Sequence, residues 1–133
     1  NLDRLEGGID RNLAPGVDTT IYNGDQAMIS VVRFASNAKG SVHHHQEEQW
    51  GFCRTGSGVR FQGGVSVSVC AGDFWLTPGG VEHGMEAGED GMVVIDVFAH
   101  HFQLRSREGA DSTHFVDCFT VFYFNGHGFS LPD

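Results

Sequence analysis

Short apolar segments, each closed by a turn roughly every eight to twelve residues, constrain this chain more than any other feature. Glycine supplies many of the turns: it is 19 of the 133 residues, about twice the usual share. Met28-Ile29-Ser30-Val31-Val32-Arg33-Phe34 reads as a strand after the turn signal Asn23-Gly24-Asp25. Trp50 to Cys53 reads as another, with Thr55-Gly56-Ser57-Gly58 turning the chain. Val59-Arg60-Phe61, Gly63-Gly64 and Val65-Ser66-Val67-Ser68-Val69 read as a hairpin. Its second arm alternates strictly, so one face is buried and the other wetter. Phe74-Trp75-Leu76 ends at Pro78-Gly79-Gly80, and Met92 to Phe98 is the longest apolar strand, with Asp96 inside it. No stretch before residue 99 carries a helical period. The pattern predicts an all-β fold, a sandwich or a closed barrel, and 14.5 kDa is one domain's worth of chain.

Charge removes several function classes. There are 8 basic against 17 acidic residues, for a net charge of −9, and Lys39 is the single lysine. Phosphate binding needs clustered Lys and Arg, so nucleic acid and anionic membrane surfaces are not expected partners. The sequence shows neither an apolar run of spanning length nor the apolar region of a signal peptide. Cys53, Cys70 and Cys118 are an odd number without CxxC spacing. They indicate neither a disulfide framework nor a zinc ribbon, and a reducing cytoplasm is the expected setting. A first residue of Asn fits a processed, trimmed or incomplete reading frame.

The segment from Ala99 onward differs. His100 to Asp111 is polar, and Phe115 to Phe124 is densely aromatic, with Asn125-Gly126, Phe129 and Leu131 behind it. At period two it reads as a hairpin, while Phe115, Phe119 and Phe122 also fit a helix. Such a stretch needs cover. It is expected to close the barrel bottom or to be buried in a homodimer, which would also protect sheet edges.

The chemistry gathers in Gly40-Ser41-Val42-His43-His44-His45-Gln46-Glu47-Glu48-Gln49-Trp50-Gly51-Phe52. Residues two apart on a strand share a face, so His43 and His45 project together, with Gln49 on the same parity. Two imidazoles from one strand are a metal-binding arrangement. His83, entering after the Pro78-Gly79-Gly80 turn, is the candidate third. His44 reads as outward. Asp96 shares parity with Met92, Val94 and Phe98, and both a catalytic acid/base and a satisfied structural carboxylate fit it. Cys53, on the parity of Gln49, reads as lumen packing. Met28, Phe34, Trp75 and Met92 read as core or pocket wall. Arg60 reads as a surface residue rather than a carboxylate clamp. His100, His101, His114 and His127 read as exposed.

These spacings resemble the cupin superfamily. His43, His45 and the closing Gly56 fall at the intervals of the first cupin motif, and Gly72, Pro78, Gly80 and His83 at those of the second. Seven positions across two motifs are a specific signal. Asn37 stands where the first motif opens with Gly, and Ala87 where the second closes with Asn. Gln49 stands in the slot of the liganding Glu, with Glu48 as the fallback; Glu47 lies too close to His45. The resemblance implies a single jelly-roll β-barrel domain over 1–133. Its barrel covers about residues 7–98, with an aromatic extension at 99–133. It implies a divalent metal (Zn, Fe, Mn, Ni or Co) held by His43, His45, Gln49 and His83.

The run His43-x-His45-x-x-Glu48-Gln49-x-Gly51-Phe52 with the later Asp96-Val97-Phe98 is similar to small KdgF-like cupins, which linearise unsaturated uronates to keto acids. That similarity implies a small, anionic substrate with Asp96 as acid/base. An Arg shortly after Asp-Val-Phe belongs to that pattern; here Ala99-His100-His101-Phe102 follow, and Arg appears at Arg105 and Arg107. Three His and a Gln leave a divalent ion its full charge, which favours Lewis-acid over redox chemistry. The expected function is a non-redox isomerase, lyase or tautomerase acting on a sugar acid or other enolisable carbonyl compound. A metal-dependent dioxygenase and a non-catalytic binding cupin are the alternatives.

Overall fold

A computed structural model describes residues 1–99. The strands are β1 (Ile9–Ala14), β2 (Val17–Asn23), β3 (Ala27–Phe34), β4 (Gln49–Gln62), β5 (Val65–Cys70), β6 (Phe74–Thr77) and β7 (His83–Ala99). They form one antiparallel sheet in the order β1-β2-β3-β7-β4-β5, with β6 also on β4. The fold is all-β, as the alternating pattern predicts, and the described residues hold no helix. The expectations for His100, His101, Arg105, Arg107, His114, His127, the aromatic run 115–124 and the homodimer built on it lie outside the described residues.

Two long strands make the frame. β7 pairs with β3 through its second half, Met92 to Ala99, and with β4 along its length. Its first half meets the segment before β4 through the bridges Lys39↔Glu86 and His43↔His83. The predicted turn at Thr55–Gly58 is instead part of β4, which runs unbroken from Gln49 to Gln62. Register shifts between Cys53 and Thr55 and between Gly56 and Gly58 bend it without breaking the ladder. Gly56 permits the bend: its φ is 78°, and a Cβ there would run into the Gly91 carbonyl and the Met92 backbone. Asn37, in the glycine slot of the motif, has φ 56°, a region Asn tolerates better than other side chains.

The shift changes which residues face inward. Along the first half of β4 these are Gln49, Gly51 and Cys53, opposite Phe98, Asp96 and Val94. Beyond the bend they are Gly58, Arg60 and Gln62, opposite Ala87, Met85 and His83. One stretch of the interior is apolar, built from Cys53, Val69, Met85, Ala87, Met92 and Val94 with Phe34 and Trp75 against it. Val17, Val32 and Ala38 form a second cluster. β1 and β2 were not singled out in the sequence, where Asp10, Arg11, Asn12 and Asp18 break the apolar pattern.

Candidate metal centre

The backbone brings the three histidines together. His43 and His83 exchange both backbone hydrogen bonds, at 2.9 and 2.8 Å, which sets their side chains alongside each other. The Pro78-Gly79-Gly80 turn is clamped to the loop holding His45, because the Gly80 N–H donates to the His45 carbonyl at 2.7 Å. A side chain at Gly79 would collide with the Gln46 carbonyl, so the two loops touch only because position 79 is glycine. Ring centroids stand 5.8 Å apart for His43 and His45, 4.4 Å for His43 and His83, and 4.9 Å for His45 and His83. One ligand nitrogen from each lies within 4.8 Å of the others.

All three rings are oriented in the same way. Nδ1 of His43 bonds the Ser41 carbonyl at 2.9 Å, Nδ1 of His45 the Glu47 carbonyl at 2.9 Å, and Nδ1 of His83 the Val81 carbonyl at 2.8 Å. A carbonyl only accepts, so each Nδ1 carries the proton and each Nε2 presents its lone pair. That is the outer-shell arrangement that fixes imidazoles for a metal. The Glu47 carboxylate also stands 3.5 Å from Nδ1 of His45, behind the ring. Burial holds His43 below the usual histidine value and pushes His83 down to about 4. His83 therefore stays neutral at ordinary pH.

Gln49 points its Oε1 into this cluster, 3.0 Å from Nε2 of His45 and 3.1 Å from Nε2 of His83. With both Nδ1 atoms protonated, these are contacts between acceptors. A cation between them removes the repulsion. Neutral nitrogen and oxygen acceptors gathered this closely are a donor set that a divalent ion would accept. The Gln49 amide also lies near enough to Asp96 to favour its ionised form. The residues present thus fit a divalent ion. Glu48, the fallback ligand, is exposed, as is His44.

Asp96 faces inward between Ser30 of β3 and Gly51 of β4 and is 9% exposed. Its Oδ1 is enclosed and has no hydrogen-bond partner. Burial pushes its pKa up to about 7, against the Gln49 bond and the nearby charge of Arg60. A group titrating at neutral pH beside a ligand cluster is suited to moving protons. Cys53 is buried at 2% and packs in the apolar cluster, as its parity indicates.

Arg60 corrects the expectation of a surface residue: it is 7% exposed, on the inward face of β4. Its Nη2 donates to Thr77 Oγ1 at 2.6 Å and to Gln62 Oε1, and its guanidinium lies 5.2 Å above the Trp75 ring. Trp75 reaches that place because Gly51 has no side chain; a Cβ there would strike the indole. The register shift at Cys53/Thr55 turns Arg60 inward, and nothing in the sequence marks it.

Comparison with known proteins gives a consistent picture. Residues 30–98 match the family described as Cupin domain. An RmlC-like cupin from Shewanella frigidimarina aligns with TM-score 0.65 and 24% identity, over 74% of this chain and 88% of that one. KdgF from a Halomonas species aligns with TM-score 0.64 and 26% identity, over 71% of this chain and 88% of that one. Oxalate decarboxylase from Bacillus subtilis shares the fold, with TM-score 0.64 and 23% identity over 71% of this chain, but only 28% of its own length is covered. No curated protein matches at the level of sequence.

Proposed function

The chain belongs to the cupin family, and from that premise we propose that it is a metal-dependent, non-redox isomerase, lyase or tautomerase acting on a small sugar acid or another enolisable carbonyl compound. The observation behind this reading is a neutral donor set beside a single buried acid. Three imidazole nitrogens and an amide oxygen carry no charge. A divalent ion held by His43, His45, Gln49 and His83 would keep its full charge and polarise a carbonyl oxygen.

The rest is done by the chain's own groups. Asp96, whose burial raises its pKa while the charge of a bound ion would lower it, can take a proton from carbon in its ionised form and return one in its neutral form. Gln49 lies between it and the ligand cluster, favouring the ionised carboxylate and presenting Oε1 to the histidines. Phe98, beside the His45 ring at 5.3 Å between centroids, adds an apolar wall that limits water. The similarity to KdgF, at 26% identity, supports a sugar acid as the substrate class.

Metal analysis of the purified protein, followed by assays over sugar acids and keto acids, tests the proposal. Proton exchange or isomerisation without oxygen uptake is the expected result. Oxygen consumption would replace it with a dioxygenase, and absence of turnover across the panel with a binding protein.

A further inference from the structure

Arg60 presents more hydrogen-bond donors than the protein uses. A guanidinium carries five N–H groups in a planar fork. Both protein acceptors, Thr77 Oγ1 and Gln62 Oε1, are reached from Nη2. The ion pairs among the described residues are Lys39–Glu86, His45–Glu47 and Arg54–Asp3, so this buried cation has no carboxylate within bonding distance. Asp96 feels its charge without touching it, and so does His83. The donors left over are not sealed off, since Asp96 Oδ1 is the enclosed side-chain atom that lacks a partner among the described residues.

A buried cation without a counter-charge is costly. Here it lies two residues along β4 from Gln62, which pairs with His83, and a divalent ion at the histidines would add to the same positive field. Asp96 is the one carboxylate whose charge the guanidinium meets there. Meanwhile Trp75, seated on Gly51, packs against the guanidinium, and Thr77 and Gln62 hold it by Nη2. A fixed fork with spare donors suits a planar, bidentate anion.

We infer that Arg60 is the carboxylate-binding residue of this site. It anchors the acid group of a small hydroxy- or keto-acid, while Asp96 Oδ1 accepts from a hydroxyl of the same molecule and the carbonyl end faces the histidines. The inference rests on the proposed reading of the site and adds the residue that selects acids over neutral sugars.

Calorimetric titration of the metal-loaded protein with glucuronate and with glucose, its uncharged counterpart, tests it. Thermal stability and metal content are measured on each variant first. The native protein is expected to bind glucuronate at least about tenfold more tightly than glucose, the usual worth of charged hydrogen bonds. Arg60→Gln should lose about that factor for glucuronate and leave glucose unchanged. Arg60→Lys, which keeps the charge and loses the fork, should fall between them and carries the test if the Gln variant does not fold. Equal loss for both sugars would make Arg60 a structural pin and overturn the inference, as would native binding with no preference for the acid. A parallel titration with pyruvate and acetone separates the two levels. Arg60-dependent binding of pyruvate without glucuronate would remove the sugar and keep the anchor. Binding of neither acid, with metal content intact, would remove the anchor and leave the metal reading standing.

Discussion

Two stretches of one barrel interior obey opposite rules. The apolar stretch, with Cys53, Val69, Met85, Ala87, Met92 and Val94, is what the hydrophobic effect builds. The polar stretch, with His45, Gln49, Arg60, His83 and Asp96 each 9% exposed or less, is what it opposes. The same strand supplies both. β7 presents His83, Met85 and Ala87 inward before its bend and Met92, Val94, Asp96 and Phe98 after it. The strand's geometry therefore does not decide which stretch is which. The difference lies in what each side chain finds opposite it. Apolar residues meet one another, and nearly every buried polar group meets a partner, except Asp96 Oδ1. The polar stretch costs stability, and the apolar stretch offsets that cost.

The comparison predicts opposite phenotypes for neighbours two residues apart on β7. His83→Ala should abolish metal binding, from about one ion per chain to near none, while the protein stays folded. Met85→Ala should leave metal stoichiometry intact in the folded protein and cost about 2–5 kcal/mol of stability, the usual price of an emptied core methionine. Elemental analysis and denaturant melts read both. Equal metal loss in the two variants would show that the division is not functional.

Asp96→Asn is next in size. It keeps the shape and the contact with Gln49 but removes the base. Metal content should be normal and kcat should fall by about 10²-fold or more. Unchanged turnover would return Asp96 to a structural role.

The sequence exposes the polar stretch unevenly, and strand physics explains why. His43, His45 and Gln49 fall on one parity, and a turn of fixed length delivers His83, so spacing alone assembles them. Asp96 was legible because β7 alternates regularly past Met92. Arg60 was not, because one irregular step between Cys53 and Thr55 moves the inward face of β4 from odd to even numbers. The glycines that permit the bend read equally well as a turn. β1 escaped notice because Ile9 to Asn12 are exposed on both faces of an edge strand. What the alternation rule misses is therefore concentrated where a strand bends or ends.

Gly51 marks the boundary between the two stretches and gives a smaller effect. Gly51→Ala puts a methyl into the Trp75 ring. Trp75 must shift, taking the platform from under Arg60. Overpacking of this kind costs about 1–3 kcal/mol, and acid binding should weaken while metal content holds. A stability loss accompanied by metal loss would mean that the boundary is not where the packing places it.

The last effect is a slope rather than a step: it changes how stability depends on pH in the metal-free protein, and its sign follows from two opposed groups. His83 has a folded pKa near 4 against an ordinary 6.5. Between those values the unfolded chain takes up a proton that the folded chain refuses, so acidification from 6.5 to 4 lowers stability. Asp96 has a folded pKa near 7 against an ordinary 3.8. Below 7 the folded chain holds a proton that the unfolded chain releases, so the same acidification raises stability. In the native protein the two slopes largely cancel between pH 4 and 6.5. Asp96→Asn removes the rising one and leaves His83, with His43 acting in the same direction because burial lowers it too. The variant should gain stability relative to the native protein above pH 7, because it buries no carboxylate charge at position 96, and lose that advantage steadily as the pH falls to 4. The slope cannot exceed about 1.4 kcal/mol per pH unit per group, so melting temperatures at half-unit intervals are needed to resolve it. Parallel curves for the two proteins would show that Asp96 exchanges no proton on folding in this range, which would weaken its case as the base as well.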